Sequence, residues 1–235
     1  MLLFYAPDIN TLLELPEKES QHCVRVLRKQ IGDIINITDG KGYFYEASIT
    51  DANPKHCKVE IINKIKPNKA WNCKIEIAIA PTKNIDRIEW FAEKATEIGI
   101  DKITFLKTRY SERKEIKLDR IEKILISAMK QSVKAILPEL SEMTDFKKFV
   151  TQKYNGQKFI AHCVEGERQL LSSLYNIGED SLILIGPEGD FSEEEVALAL
   201  DNGFKAISLG ESRLRTETAA LTACQTIHII NQLKQ

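Results

Sequence analysis

Two short glycine-bearing runs, Gly186-Pro187-Glu188-Gly189 and Leu209-Gly210, are the parts of this chain best suited to bringing bare backbone against a ligand. Glycine removes the side chain that would block such an approach, and a strand that breaks into a glycine turn leaves backbone amides exposed. The first run lacks the lysine and hydroxyl of a phosphate-cradling P-loop, and neither run has the G-x-G-x-x-G spacing of a dinucleotide site. Proline and glutamate within it also discourage a polyphosphate. A nucleotide-like cofactor with little negative charge fits better, although two tight turns of an ordinary α/β sheet would leave the same pattern. Just beyond lies Arg213-Leu214-Arg215-Thr216-Glu217-Thr218. Its two cations suit an anionic or polarised substrate, and its carboxylate could take a proton.

Each run needs a strand before it and a helix after it, and the sequence supplies both. Leu182-Ile183-Leu184-Ile185 is an apolar run of buried-strand length that ends at Gly186. Ser192 and Glu195 form a capping box for a helix through Val196, Leu198 and Leu200, which Asn202-Gly203 stops. A second strand, from Lys205 to Leu209, reaches Gly210. The last helix then opens at Thr216 and buries Ala219, Ala220, Cys224 and Ile227.

Upstream, Lys64 to Lys69 is the best boundary, because proline and polar residues interrupt the pattern there. Residues 1–70 form one expected domain and 71–235 another. The first is β-rich, with short runs at Leu2–Tyr5, Ile34–Thr38, Tyr43–Thr50 and Cys57–Ile65 and a hairpin turn at Asp39 to Gly42, which suggests a small barrel. A helix from Ser20 to Lys29 is expected to turn Cys23, Val26 and Leu27 inward. Arg25, Arg28 and Lys29 would face outward, either to grip phosphates or simply as a solvated face. The second domain alternates strand and helix over 73–231. A strand at Ile75–Ala80 is followed by a helix from Ile85 to Ile98 with Gly99 as its stop, and then by a strand at Ile103–Leu106. A long helix from Leu118 ends near Leu137-Pro138; next come a strand at Phe159–Ala161 and a short helix around Gln169–Leu174. This βαβαβαβα order predicts an α/β fold with a largely parallel sheet covered by helices. The loop from Lys107 to Arg113 sits where open α/β sheets place ligands, and so is a candidate substrate loop or a plain surface loop.

Formal net charge is −1, unevenly spread: residues 1–70 carry 10 basic and 9 acidic side chains, 71–150 carry 16 and 13, and 151–235 carry 7 and 12. A polyanion would therefore meet the first two-thirds of the chain rather than the glycine loops. The five cysteines, Cys23, Cys57, Cys73, Cys163 and Cys224, are scattered and odd in number. They read as reduced core residues, not as disulfides or a metal site. No apolar run approaches the ~20 residues of a membrane span, and Met1 to Tyr5 does not look like a leader, so a cytoplasmic protein without membrane or metal partners is expected.

Together, Gly186-Pro187-Glu188-Gly189, Leu209-Gly210 and Arg213 through Ala219 resemble the signature of the RsmE family of ribosomal RNA small-subunit methyltransferases, in the SPOUT superfamily. The similarity extends along most of the chain. His22 with Val26-Leu27-Arg28, Gly32-Asp33, Asp39-Gly40, Lys94 to Gly99, Arg109 and Gln131-Ser132 with Pro138 fall in the family's order. The resemblance implies a homodimer with an N-terminal PUA-like RNA-binding β-barrel and a C-terminal domain tied in a trefoil knot. It also implies S-adenosyl-L-methionine as cofactor, and methylation of a uridine at ring nitrogen 3 in 16S ribosomal RNA, within the 30S particle. Cofactor residues would then be His162, Ile185, Gly186, Pro187, Glu188, Gly189, Leu209, Gly210, Leu214 and Thr216. The chain departs from the family at Asp190, where a second glycine usually follows, and at Lys130 and Lys134, which flank Gln131-Ser132 in place of glutamate and arginine.

In such a reaction the uracil imide must lose its proton before or during methyl transfer. Glu217 is the candidate base, though a glutamate in a helix's first turn is also what capping and the helix dipole favour. Arg213 and Arg215 are placed to hold a phosphate or to stabilise the carbonyl oxygens that gain charge. Arg25, Arg28, Arg109 and Arg113 are the candidate RNA-backbone contacts. Two rivals stay open: another SPOUT enzyme acting on transfer RNA or a ribose hydroxyl, and a non-catalytic RNA-binding protein.

Overall fold

The computed structural model describes residues 1–69 and 71–233. Residue 70, at the expected domain boundary, and the last two residues lie outside the described part. The chain divides into two compact units, and the first takes in Ile126–Leu137 as well as Met1–Lys69.

In the first unit, β1 (Leu3–Tyr5), β2 (Ile34–Thr38), β3 (Phe44–Asp51) and β4 (Lys58–Ile65) form one sheet in that order. The β1–β2 pair is parallel, and the remaining pairs are antiparallel. Alternation puts Ile35 and Ile37 of β2 and Tyr45, Ala47 and Ile49 of β3 into a core shared with Phe4, Leu15 and Val59. Asp39 builds the β2–β3 turn. Its Oδ1 accepts from the amides of Lys41 (2.7 Å) and Tyr43 (3.1 Å), and its Oδ2 accepts from the Tyr45 hydroxyl at 2.9 Å. Burial and this carboxylate push the Tyr45 phenol up to about 12. Gly40 is required here: its φ is +69°, and a Cβ would lie 2.8 Å from the Tyr5 ring.

Between β1 and β2 run α1 (Ile9–Leu12) and α2 (Glu17–Gln21), the latter continuing into a π-helical turn at His22–Val26. This turn corrects the expected helix. The wider turn, closed by the Leu27 amide on the His22 carbonyl at 3.0 Å, rotates the register, so Cys23 is buried but Val26 is left outside, 67% exposed. Arg25 and Arg28 are exposed as expected, Arg28 with a left-handed φ of +55° that ends the turn. Within the same unit Lys130 meets Glu19 at 2.5 Å, which gives the lysine at this position a carboxylate partner.

The second unit is a seven-stranded sheet. Its elements are β5 (Ile75–Ile79), α3 (Ile85–Ile98), β6 (Lys102–Lys107), α4 (Leu118–Gln131, whose later residues fall in the first unit), β7 (Glu139–Asp145), α5 (Phe146–Val150), β8 (Gln157–Ala161), β9 (Gln169–Leu170), α6 (Leu171–Leu174), β10 (Ser181–Ile185), α7 (Glu193–Asp201), β11 (Lys205–Ser208) and α8 (Thr216–Leu233). The strand order is β7-β6-β5-β10-β8-β11-β9, every pair parallel. β5 and β10 lie at the centre and are buried along their whole length, which is why they read as unbroken apolar runs.

Three expectations are corrected. The helix from Leu118 stops at Gln131 rather than near Leu137, and Val133 takes a φ of +53° just beyond it. β7, Glu-Leu-Ser-Glu-Met-Thr-Asp, was not expected, because an edge strand pairs on one side only and this one is mostly polar. The segment around Gln169–Leu174 begins as the edge strand β9 before its single helical turn.

Gly99, the stop of α3, has a φ of +129°, and a Cβ would meet the Trp71 ring at 2.5 Å. Trp71 donates to Asp101 at 2.9 Å and stacks edge-on against His228 of α8, whose Nε2 lies 2.7 Å from the Gly99 carbonyl. The end of α3 is thereby tied to α8, and α8 packs on β5 and β10 as well.

Candidate cofactor cleft and active site

Three loops at the C-terminal ends of β8, β10 and β11 converge on a cleft of about 840 Å³. Open parallel sheets bind ligands at that edge. His162 from the first loop, Ile185 to Glu188 with Asp190 from the second, and Leu209 to Thr216 from the third form its wall, with Arg87 of α3.

In the first loop His162 is only 8% exposed, and neither ring nitrogen has a hydrogen-bond partner among the described residues. Burial pushes its imidazole below the ordinary histidine value; Asp190 pulls the other way, the Arg168 guanidinium lowers it further, and the Val164 backbone adds a weak upward pull. The ring is thus neutral near pH 7, with a donor and an acceptor to offer. Arg168 donates to the His162 carbonyl. Cys163, expected in the core, is exposed instead, because the chain leaves the sheet at Ala161.

The second loop turns tightly, with the Asp190 amide on the Pro187 carbonyl at 3.0 Å. Gly186 is needed for space: a Cβ there would come within 3.2 Å of the Asp190 carboxylate. Gly189 is not among the residues of the cleft wall, and its absent side chain makes room for Tyr110, to whose Cβ a Gly189 Cβ would stand at 3.0 Å. Glu188 is exposed, accepts from the Lys83 amide at 3.2 Å and sits 3.7 Å from Arg87. Downstream the capping box is present, with Ser192 and Glu195 exchanging bonds of 2.9 and 3.3 Å, so α7 starts where the serine dictates.

The third loop is closed by Ser208, whose hydroxyl both donates to the Gly210 carbonyl (2.9 Å) and accepts from its amide (3.2 Å). Arg213 and Arg215 are exposed at the mouth, Leu214 is half-buried, and Thr216 is buried at the start of α8. Glu217 is 7% exposed but does not line the cleft. Its Oε1 lies 3.8 Å from Arg87 Nε, and its Oε2 has no partner. Arg87 therefore stands between Glu217 of α8 and Glu188 of the second loop. Sequence reasoning missed Arg87. The available signal was its place just past β5, at the same sheet edge as the glycine loops.

Profiles of two domain families match the chain: an RNA methyltransferase domain over residues 69–228 and an RNA methyltransferase PUA domain over 15–62. The chain belongs to the RsmE family of ribosomal RNA small-subunit methyltransferases. One relative, ribosomal RNA small subunit methyltransferase E of Buchnera aphidicola subsp. Acyrthosiphon pisum, is 31% identical over 230 residues, covering 94% of this chain and 90% of that one. Among solved structures, a probable rRNA-methyltransferase from Porphyromonas gingivalis is 46% identical over the full length of both chains, with a TM-score of 0.96. A putative methyltransferase from Legionella pneumophila, solved with the bound cofactor SAM, is 30% identical over 97% of each chain, with a TM-score of 0.85.

The four candidate RNA arginines fall in two groups. Arg25 and Arg28 belong to the N-terminal unit. Arg109 is exposed, but its amide donates to Glu195 (2.8 Å) and its guanidinium to Glu194 (3.1 Å). Arg113 donates to the carbonyls of Thr82 (3.2 Å) and Lys83 (2.7 Å) and so braces the loop that precedes Arg87. A second cavity of about 470 Å³ includes Lys107, Arg109 and Lys147 in its lining, so the loop after β6 borders a recess.

Proposed function

We propose that this chain binds S-adenosyl-L-methionine in the three-loop cleft and methylates ring nitrogen 3 of a uridine in small-subunit ribosomal RNA. The observation that carries the cofactor reading is the buried, unpartnered His162 ring in a cleft formed by three glycine-bearing loops, whose wall mixes Glu188, Asp190 and Glu211 with Arg87, Arg168, Arg213 and Arg215 and so suits a cofactor that carries charges of both signs. Ile185 to Glu188, Leu209, Gly210, Leu214 and Thr216 would hold it, largely through backbone. When bound, the cofactor supplies an electrophilic methyl group on a sulfonium.

The chain's own task is to present an acceptor nitrogen that has given up its proton. Arg213 and Arg215, exposed at the mouth, supply positive charge where the uracil carbonyl oxygens would gain negative charge. Two roles are open to Glu217: proton acceptor, or anchor for Arg87. Its carboxylate lies off the cleft wall and beside the guanidinium, which favours the anchor, with Arg87 as a third cation on the wall. The N-terminal PUA domain would hold RNA through Arg25 and Arg28, with Arg109 and Arg113 presented by the second domain.

We further propose a homodimer in the cytoplasm acting on the 30S particle, with the C-terminal segment threaded as a trefoil knot. The strand order, in which β10 enters between β5 and β8 and α8 returns to pack on β5 and β10, supports the knot. Calorimetric titration of the chain with S-adenosylmethionine tests the cofactor reading. Stoichiometric binding is expected, and no heat at millimolar ligand would leave the chain as an RNA-binding protein only.

A further inference from the structure

Asp190 occupies a backbone conformation that costs it energy. Its φ is +65°, in the left-handed region that glycine adopts freely and other residues only under strain. Each oxygen of the aspartate carboxylate accepts one hydrogen bond in return. Oδ1 accepts from the neighbouring Phe191 amide at 2.8 Å, a local turn contact. Oδ2 accepts from the Cys163 amide at 2.6 Å, and that bond joins residues 27 apart in sequence, crossing from the loop after β10 to the loop after β8. Gly186 leaves the space the carboxylate occupies. The side chain also lines the cleft, on the same wall as the buried His162 ring.

We infer that Asp190 is a positioning residue: its carboxylate ties the loop after β8 to the loop after β10, and so holds His162 and the Cys163 backbone in the geometry the cofactor requires. A glycine here would be easier for the backbone and worse for the cleft. The inference rests on the S-adenosylmethionine reading given above.

The substitutions Asp190→Gly and Asp190→Asn, made in the full chain, separate backbone strain from the tie. Glycine relieves the strain but gives up two hydrogen bonds and loosens the unfolded chain, so D190G is expected to melt close to the wild-type temperature. It loses both acceptors, so amide exchange at Cys163 should speed up at least about tenfold in the cofactor-free chain, and the Kd and KM for S-adenosylmethionine should rise about tenfold. Turnover at saturating cofactor should change by less than about twofold. D190N keeps one acceptor oxygen in the same shape and should fall between wild type and D190G in Cys163 exchange rate and in cofactor affinity. Unchanged Cys163 exchange in D190G, or cofactor affinity equal to wild type, would overturn the inference, as would an asparagine variant weaker than glycine. Absence of binding by the wild-type chain would instead remove the cofactor reading, and the exchange measurement would still judge the tie.

Discussion

His162 and Glu217 are each more than nine-tenths buried, and each carries an unpartnered polar atom. For His162 the consequence is a pH dependence. An unfolded histidine gains its proton near pH 6.5, whereas the buried ring resists it until lower pH. Between those points the unfolded chain binds more protons, so stability falls as pH drops below about 6.5 and levels off once the native ring is also protonated. Replacing His162 with Asn should remove that part of the acid destabilisation. Urea unfolding at pH 7.5 and pH 5 measures it, and parallel losses in variant and wild type would show that the ring is not the group responsible. For Glu217 the anchor role predicts that Glu217→Gln, which keeps a carbonyl oxygen beside Arg87 but gives up the ion pair, keeps single-turnover methyl transfer within about tenfold. A fall of more than about a hundredfold at unchanged cofactor affinity would return it to the role of base.

At the scale of elements, the parts legible in the sequence were those governed by local rules. α3 runs from Ile85 to Ile98 and stops at Gly99, and the Ser192 capping box starts α7, because each depends on residues within a turn or two of the boundary. β7 and the exposure of Val26 were not legible. The first depends on a partner strand far along the chain, the second on a π turn that apolar spacing does not encode. The cleft was legible by its loops but not by Arg87, whose position is set by β5 and by carboxylates about 100 and 130 residues downstream. Gly99 links this scale to stability. Gly99→Ala would force a Cβ into Trp71 at a φ of +129°, and strain and overpacking together should cost at least about 2 kcal/mol in urea unfolding. A loss under about 0.5 kcal/mol would mean that the Trp71–His228 contact yields easily.

For the whole molecule, both family matches point to RNA, and the charge distribution agrees in that cations are concentrated in the first two-thirds of the chain. No described helix is long and apolar enough to cross a membrane. The central claim is the acceptor atom, since the cofactor cleft alone would serve any acceptor. Mass spectrometry of nucleosides from small-subunit ribosomal RNA, compared between cells with and without this protein, tests it directly. The account predicts that 3-methyluridine disappears from one position and returns when the wild-type gene is restored. Unchanged 3-methyluridine, with loss of a ribose-methylated nucleoside or of a transfer-RNA modification instead, would contradict it.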